Sequence, residues 1–66
     1  MTEQEKVIKT FLALLRFSAI LNSPKERKHI RNKDIILLEQ LGKLKYSEIA
    51  EGEYFELLMG MKEKYL

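Results

Sequence analysis

The chain has 66 residues, no cysteine and a net charge of +2, from twelve bases and ten acids. Its length allows one small domain with a limited core, and the absence of cysteine excludes a disulfide framework or a thiolate zinc site. Apolar residues make up 45% of the chain, against three glycines and one proline, which indicates a folded helical protein and excludes a disordered one.

The first predicted helix covers residues 3–21. Thr2 and Glu5 form the capping-box pattern T-E-Q-E, in which a hydroxyl and a carboxylate satisfy backbone N–H groups that the first helical turn leaves free. From Phe11 onward the helix is apolar nearly all round, with Arg16 as its only charge. One side of a small bundle cannot cover so much apolar surface.

The apolar run FLALLRFSAIL of this helix is too short to cross a membrane. It has 11 residues including Arg16, whereas a spanning helix needs about 20 apolar residues. The segment MTEQEKVIK before it carries two acids, unlike the positive leading region of a secretory signal. We therefore expect a cytoplasmic protein without a membrane segment.

The second predicted helix covers residues 24–41. Ser23 is a favourable N-cap, Pro24 fits the first helical position because its missing N–H is not needed there, and Glu26 completes a second capping box. Gly42 is the expected stop at the other end.

The third predicted helix covers residues 47–64, with Ser47 as its N-cap and Gly52 as the position of a kink or a restart. Its apolar residues recur at the spacing of one helical face. The face predicted to pack on the core consists of Ala50, Tyr54, Leu57, Leu58, Met61 and Tyr65.

These elements predict an all-α fold over residues 1–66, either a three-helix bundle or a helical hairpin, assembled as a symmetric helical dimer. The dimer would cover the surplus apolar surface of the first helix, since each fully exposed Leu or Phe forgoes about 1.5–3 kcal/mol. The alternatives are a compact monomer with this helix at its centre, or an obligate partner protein on the same surface. The predicted dimer interface consists of Phe11, Leu12, Leu14, Leu15, Phe17, Ile20 and Leu21.

The stretch SPKERKHIRNKD, residues 23–34, holds five bases and the only histidine against two acids. Cations in the first turn of a helix oppose its macrodipole, at a cost of about 0.3–1 kcal/mol each, so a binding role would account for them. The alternatives are a solvated helix end, or a contact for the glutamates of residues 48–56 in another subunit. The predicted partner-binding residues are Lys25, Arg27, Lys28, Arg31 and Lys33.

No catalytic, cofactor or metal site is predicted. Glu26 and His29 have the E-x-x-H spacing of di-iron bundles, but Glu26 is expected to cap a helix, and the neighbouring Arg27 and Lys28 would oppose a dication. The serines have no spacing that implies contact with the histidine, and no glycine-rich phosphate loop is present. We therefore expect a protein that is not an enzyme and needs no cofactor.

The segment LLEQLGKLKYSEIAEG resembles the first helix, turn and following helix of helix-turn-helix modules in regulators and sigma factors. The residues that carry the resemblance are Leu37, Leu38, Leu41, Gly42, Tyr46, Ser47, Glu48, Ile49 and Ala50. The resemblance implies DNA binding. The continuation EGEYFELLMGM departs from those modules, because its glutamates would repel phosphates where a basic or polar recognition helix is needed.

The expected function is a small protein–protein interaction or regulatory module, an adaptor or an inhibitor, that acts as a homodimer and contacts a second protein through its basic stretch. The alternative is a DNA-binding transcriptional regulator with a degenerate helix-turn-helix. The short chain rich in lysine and isoleucine is typical of accessory proteins from phages and mobile elements.

Overall fold

The first helix, α1, spans Glu3–Leu21 and has the predicted bounds. In a computed structural model that describes residues 1–66, the Thr2 hydroxyl accepts a hydrogen bond from the Glu5 backbone N–H at 3.2 Å. The same hydroxyl donates to the Glu5 carboxylate at 3.2 Å, so Thr2 caps the helix as predicted, whereas the carboxylate meets this hydroxyl and not a free backbone N–H. α1 is central to the fold because it contacts each of the other four helices.

The predicted helix 24–41 is wrong as a single element. It is divided into α2, Pro24–Arg27, and α3, Asn32–Leu41, by a turn that brings Ile30 into the core. Ile30 is the only apolar residue other than proline between Leu21 and Ile35. In a continuous helix Ile30 could be buried only if other apolar residues became exposed. The chain therefore leaves the helical path after α2.

The caps of the divided helix also differ from the predicted ones. Ser23 precedes α2 in an extended conformation, but its side chain makes no capping hydrogen bond, so the second capping box does not form. Its backbone carbonyl accepts from the N–H groups of Glu26 and Arg27 instead. Gly42 ends α3 as expected.

The predicted helix 47–64 is also two elements, α4, Tyr46–Glu51, and α5, Tyr54–Tyr65. Gly52 lies in an extended conformation between them, with φ −116° and ψ −169°, so the restart alternative at this glycine is the correct one. The predicted cap at Ser47 is wrong, because α4 begins one residue earlier and Lys45 precedes it.

The core face predicted for this segment is confirmed in part, since Ala50, Leu58 and Met61 are buried and Tyr65 packs against the core. Tyr54 and Leu57 are exposed instead, and Phe55 is buried. The two residues between α4 and α5 thus shift the buried side of α5 toward Phe55 relative to a continuous helix.

Five α-helices with no strand make up 77% of the chain, which confirms the all-α fold class. The core combines Ala13 and Phe17 of α1 with apolar residues from α3, α4, α5 and the turn before α3: Ile30, Ile35, Leu38, Leu41, Ile49, Leu58 and Met61. The molecule is elongated, at 35 × 17 × 17 Å. None of its helices combines the length and apolar character needed to cross a bilayer.

Candidate interaction surface at the basic end

One end of the long axis is formed by the end of α1, by α2, by the turn to α3 and by the end of α5. The Phe17 and Tyr65 rings meet edge to face there, with centroids 6.5 Å apart. The Tyr65 hydroxyl also accepts from the Arg31 backbone N–H at 3.4 Å. We call residues 24–34 at this end the basic end, since they include five bases and two acids.

The turn between α2 and α3 displays its cations because Ile30 points inward. Ile30 is buried, while Lys28, His29 and Arg31 on either side of it are exposed. One apolar residue within a polar stretch thus fixes the outward direction of its neighbours. Because α2 has a single turn, it has little macrodipole, and the predicted penalty on Lys25, Arg27 and Lys28 largely disappears.

Arg27 differs from the other predicted partner-binding residues because it is used within the fold. Its guanidinium donates to the Leu21 carbonyl at 3.4 Å and lies 3.8 Å from the Glu39 carboxylate. It borders a depression of about 260 Å³ between α1 and α3, with Leu14, Phe17 and Leu38 among the lining residues. Arg27 therefore joins α2 to the neighbouring helices.

The remaining four predicted residues, Lys25, Lys28, Arg31 and Lys33, are exposed and form no ion pair. The chain has only two ion pairs, Arg27 with Glu39 and Lys64 with Asp34. The local acid Asp34 is engaged by α5 and forms no ion pair with these cations, and only the charge of Lys33 acts on it. Lys25, Lys28 and Arg31 face solvent without an ion-pair partner.

Asp34 ties the start of α3 to the end of α5. Its carboxylate accepts a hydrogen bond from the Tyr65 hydroxyl, and Lys64 Nζ lies 3.4 Å away. The Tyr65 hydrogen bond lowers the pKa of Asp34 from its ordinary value of 3.8, and Lys64 and Lys33 act in the same direction, against a smaller rise caused by burial. The charged carboxylate is the form that the fold favours.

The stability that Asp34 contributes should depend on pH. A depressed pKa in the folded state means that this contribution is present above pH 3.8 and is lost as the pH falls through the folded value. Asp34→Asn should therefore lower the melting temperature at neutral pH, and its difference from wild type should shrink toward about pH 2. Melting curves followed by circular dichroism check this.

Tyr65→Phe is the control for the cause of that pH dependence, because it keeps the ring and removes the donor to Asp34. The acid-side loss of stability should be smaller in this variant than in wild type. A difference between wild type and Asp34→Asn that stays constant over the whole range would contradict the prediction.

The opposite end of the molecule is acidic. It is formed by the start of α1 and the junction of α4 and α5, where Glu3 and Glu51 border one depression. Hydrogen bonding to Glu3 and repulsion from its charge raise the pKa of Glu51 above its ordinary value of 4.5. Lys6, at the same end, forms no ion pair, and its Nζ lies 5.4 Å from the centroid of the Phe55 ring. We call Glu3, Glu5, Glu51 and Glu53 the acidic end.

The predicted dimer interface is spread over three kinds of environment. Phe17 is in the core at 1% exposure and is inaccessible to a second protein. Leu14, Ile20 and Leu21 are half-buried against the core. Only Phe11, Leu12 and Leu15 are exposed, and Ile8, which the prediction left out, is exposed beside them. The i, i+3, i+4, i+7 spacing of residues 8, 11, 12 and 15 is the sequence pattern that could have identified these four residues as one exposed face.

The segment that resembles a helix-turn-helix does form two helices, α3 and α4, joined by residues 42–45. Ile49 and Ala50 of α4 are buried, and the exposed residues of that helix include Glu48 and Glu51 but no base. The helix α5 that follows begins after Glu53 and carries Glu56 in its first turn. No base therefore follows the turn before Lys62, in the last turn of α5.

No protein-family model matches the chain, and no curated protein or solved structure shows significant similarity to it.

Proposed function

We propose that the chain is a small, non-enzymatic cytoplasmic interaction module, an adaptor or an inhibitor, which acts as a homodimer. Its basic end binds an acidic surface on a second protein. The observation that supports this function is a set of four exposed cations that form no ion pair: Lys28 and Arg31 on the turn anchored by the buried Ile30, and Lys25 and Lys33 in the helices on either side of it. A cationic surface of fixed shape favours an anionic partner through both association rate and specificity.

DNA binding is the second candidate function, because exposed cations can also neutralise phosphates. The glutamates of α4 and early α5 disfavour it where a recognition helix would be needed. A protein partner is favoured over a DNA duplex because a protein can present acidic residues over an area as small as the basic end. A duplex would place phosphates beyond the basic end, where these cations do not reach.

The test removes two cations of the basic end whose side chains form no hydrogen bond or ion pair within the fold. Lys28→Gln with Arg31→Gln should reduce at least tenfold the amount of a specific protein that the immobilised chain captures from a cell lysate, without changing helicity. The matched control is Lys43→Gln with Lys45→Gln, two exposed cations between α3 and α4 that also form no ion pair. The control should capture as much as wild type.

Two results would contradict the protein-binding proposal. The first is equal capture by both double variants, which would mean that the basic end is only a solvated surface. The second is binding to duplex DNA that weakens steeply with salt and whose logarithmic salt slope falls by about two in Lys28→Gln with Arg31→Gln, since each lost phosphate contact removes about one unit. That result would assign the basic end to DNA.

A further inference from the structure

The helix α1 has a second apolar face, opposite to the one that packs on the core. Ala13 and Phe17 point inward, whereas the second face lies about half a turn around the helix from them. We call this second face the outer face of α1. It consists of Ile8 at 51% exposure, Phe11 at 42%, Leu12 at 49% and Leu15 at 55%.

The outer face has the residue spacing of a helix that packs on another helix. Ile8, Phe11, Leu12 and Leu15 stand at i, i+3, i+4 and i+7, the spacing of one helical face. All four are about half exposed in the single chain. A soluble helix with this spacing normally buries it.

A depression of about 230 Å³ lies beside the outer face, between α1 and the turn that joins α3 to α4. Phe11 and Leu15 form one wall, Leu14 and Gly42 contribute to the rest, and Tyr46 meets the Phe11 ring edge to face at 5.5 Å. Such grooves accept helices with apolar residues at i, i+3, i+4 and i+7. The outer face of α1 itself has that spacing, so the surface is complementary to a second copy of itself, as a two-fold interface requires.

The exposed apolar area around the outer face is close to the minimum that a specific dimer interface buries. At these exposures Ile8, Phe11, Leu12, Leu15 and Tyr46 each present on the order of 100 Å², so two copies would bury roughly 1,000 Å² between them, the lower limit for a specific interface. An area of this size favours a dimer that dissociates on dilution.

The charges at the two ends determine the orientation of the second copy. Parallel packing would place the two acidic ends side by side and the two basic ends side by side, with Glu5 facing Glu5. Antiparallel packing places each acidic end beside the basic end of the other copy, which is favourable over the Debye length of about 8–10 Å. The outer face is centred between Phe11 and Leu12, close to the middle of α1, so the antiparallel helices overlap along their full length.

We infer that a second copy of the chain docks antiparallel on the outer face of α1, with the two-fold axis near Leu12. Ile8 of one copy then meets Leu15 of the other, and the basic ends lie at opposite ends of the dimer. The inference depends on the homodimer in the proposed function and adds the face and the orientation.

Disulfide trapping tests the orientation directly, because the chain contains no cysteine of its own. Ile8→Cys and Leu15→Cys chains that differ in mass are mixed and oxidised at equilibrium. An antiparallel dimer brings the two different positions together, so the mixed disulfide should exceed either homodisulfide at least tenfold. Ile36→Cys is the matched control, because Ile36 is equally exposed, at 56%, on α3 and should form no disulfide above background.

Light scattering over a hundredfold range of concentration tests the face. Leu15→Glu should weaken dimerisation more than tenfold, whereas Ile36→Glu, the same change at equal exposure, should leave the dimer unchanged. Helicity should be that of wild type in both variants, since neither residue belongs to the core.

The outcomes separate this inference from the function proposed above. Predominant homodisulfides, or statistical proportions of all three products, would overturn the antiparallel arrangement. If light scattering still showed a dimer, the homodimer of the proposed function would remain supported. A monomer at every concentration would overturn both the arrangement and the homodimer. Lys28→Gln with Arg31→Gln changes the basic end and leaves the outer face intact, so its molar mass is measured beside its capture. Loss of capture by a variant that still dimerises assigns the loss to the basic end and not to the assembly.

Discussion

Phe17→Ala is expected to remove most of the stability of the fold. Phe17 is 1% exposed in the core, where it meets Tyr65 edge to face. Truncating a buried Phe costs about 3–5 kcal/mol because the lost burial adds to the cost of the cavity. A single core in a domain of this size supplies about the same amount, so the variant should be largely unfolded at room temperature. Urea denaturation followed by circular dichroism measures the difference.

Leu15→Ala is the matched control, two residues away on the same helix. Leu15 is 55% exposed on the outer face, so at concentrations where the chain is monomeric its truncation should change the free energy of unfolding by less than about 1 kcal/mol. If Phe17→Ala instead remained as stable as wild type and lost only dimerisation, Phe17 would lie in the interface that the sequence predicts, and the core arrangement would be wrong.

Thr10→Val is expected to stabilise the fold by about 1–2 kcal/mol. The Thr10 side chain is 0% exposed, and its hydroxyl is the only buried side-chain polar atom without a hydrogen-bond partner. A methyl group of nearly the same size removes the desolvation penalty and leaves the packing unchanged. Because Thr and Val have similar helix propensities, α1 should not change. The midpoint of urea denaturation should increase.

Thr2→Val makes the same chemical change at a threonine whose hydroxyl does form a hydrogen bond. Thr2 accepts from the Glu5 backbone N–H at 3.2 Å, so its loss should destabilise the fold by about 0.5–1 kcal/mol. The two substitutions should therefore have opposite signs. A loss of stability in Thr10→Val would contradict the prediction and show that the Thr10 hydroxyl has a hydrogen-bond partner. The acceptor would then be the Lys6 backbone carbonyl, one helical turn earlier, to which a helical threonine can donate.

The fold separates the residues that hold the chain together from those offered to partners. Buried apolar residues and the contacts of Arg27 and Asp34 join the helices, whereas the remaining cations of the basic end and the outer face of α1 contribute little to the single chain. Substitutions on these two surfaces should therefore change binding or assembly without unfolding the protein. This separation makes the proposed function testable with ordinary point variants.

The sequence by itself determined the elements that depend on local chemistry. The T-E-Q-E pattern predicts the start of α1, Pro24 the start of α2 and Gly42 the end of α3, because capping and backbone restrictions act over a few residues. The all-α class follows from composition and helical periodicity in the same way. The concentration of cations in residues 23–34 was also evident.

Only the tertiary structure decided where helices break and which faces are buried. The turn before α3 exists because Ile30 gains a place in a core built from distant helices, and the residues around it are otherwise compatible with a continuous helix. For α1, apolar residues nearly all round leave the packed side undetermined, since either side would satisfy the periodicity. Contacts with the other helices bury Phe17 and leave Phe11, Leu12 and Leu15 exposed, because burial is a property of the whole arrangement and not of one segment.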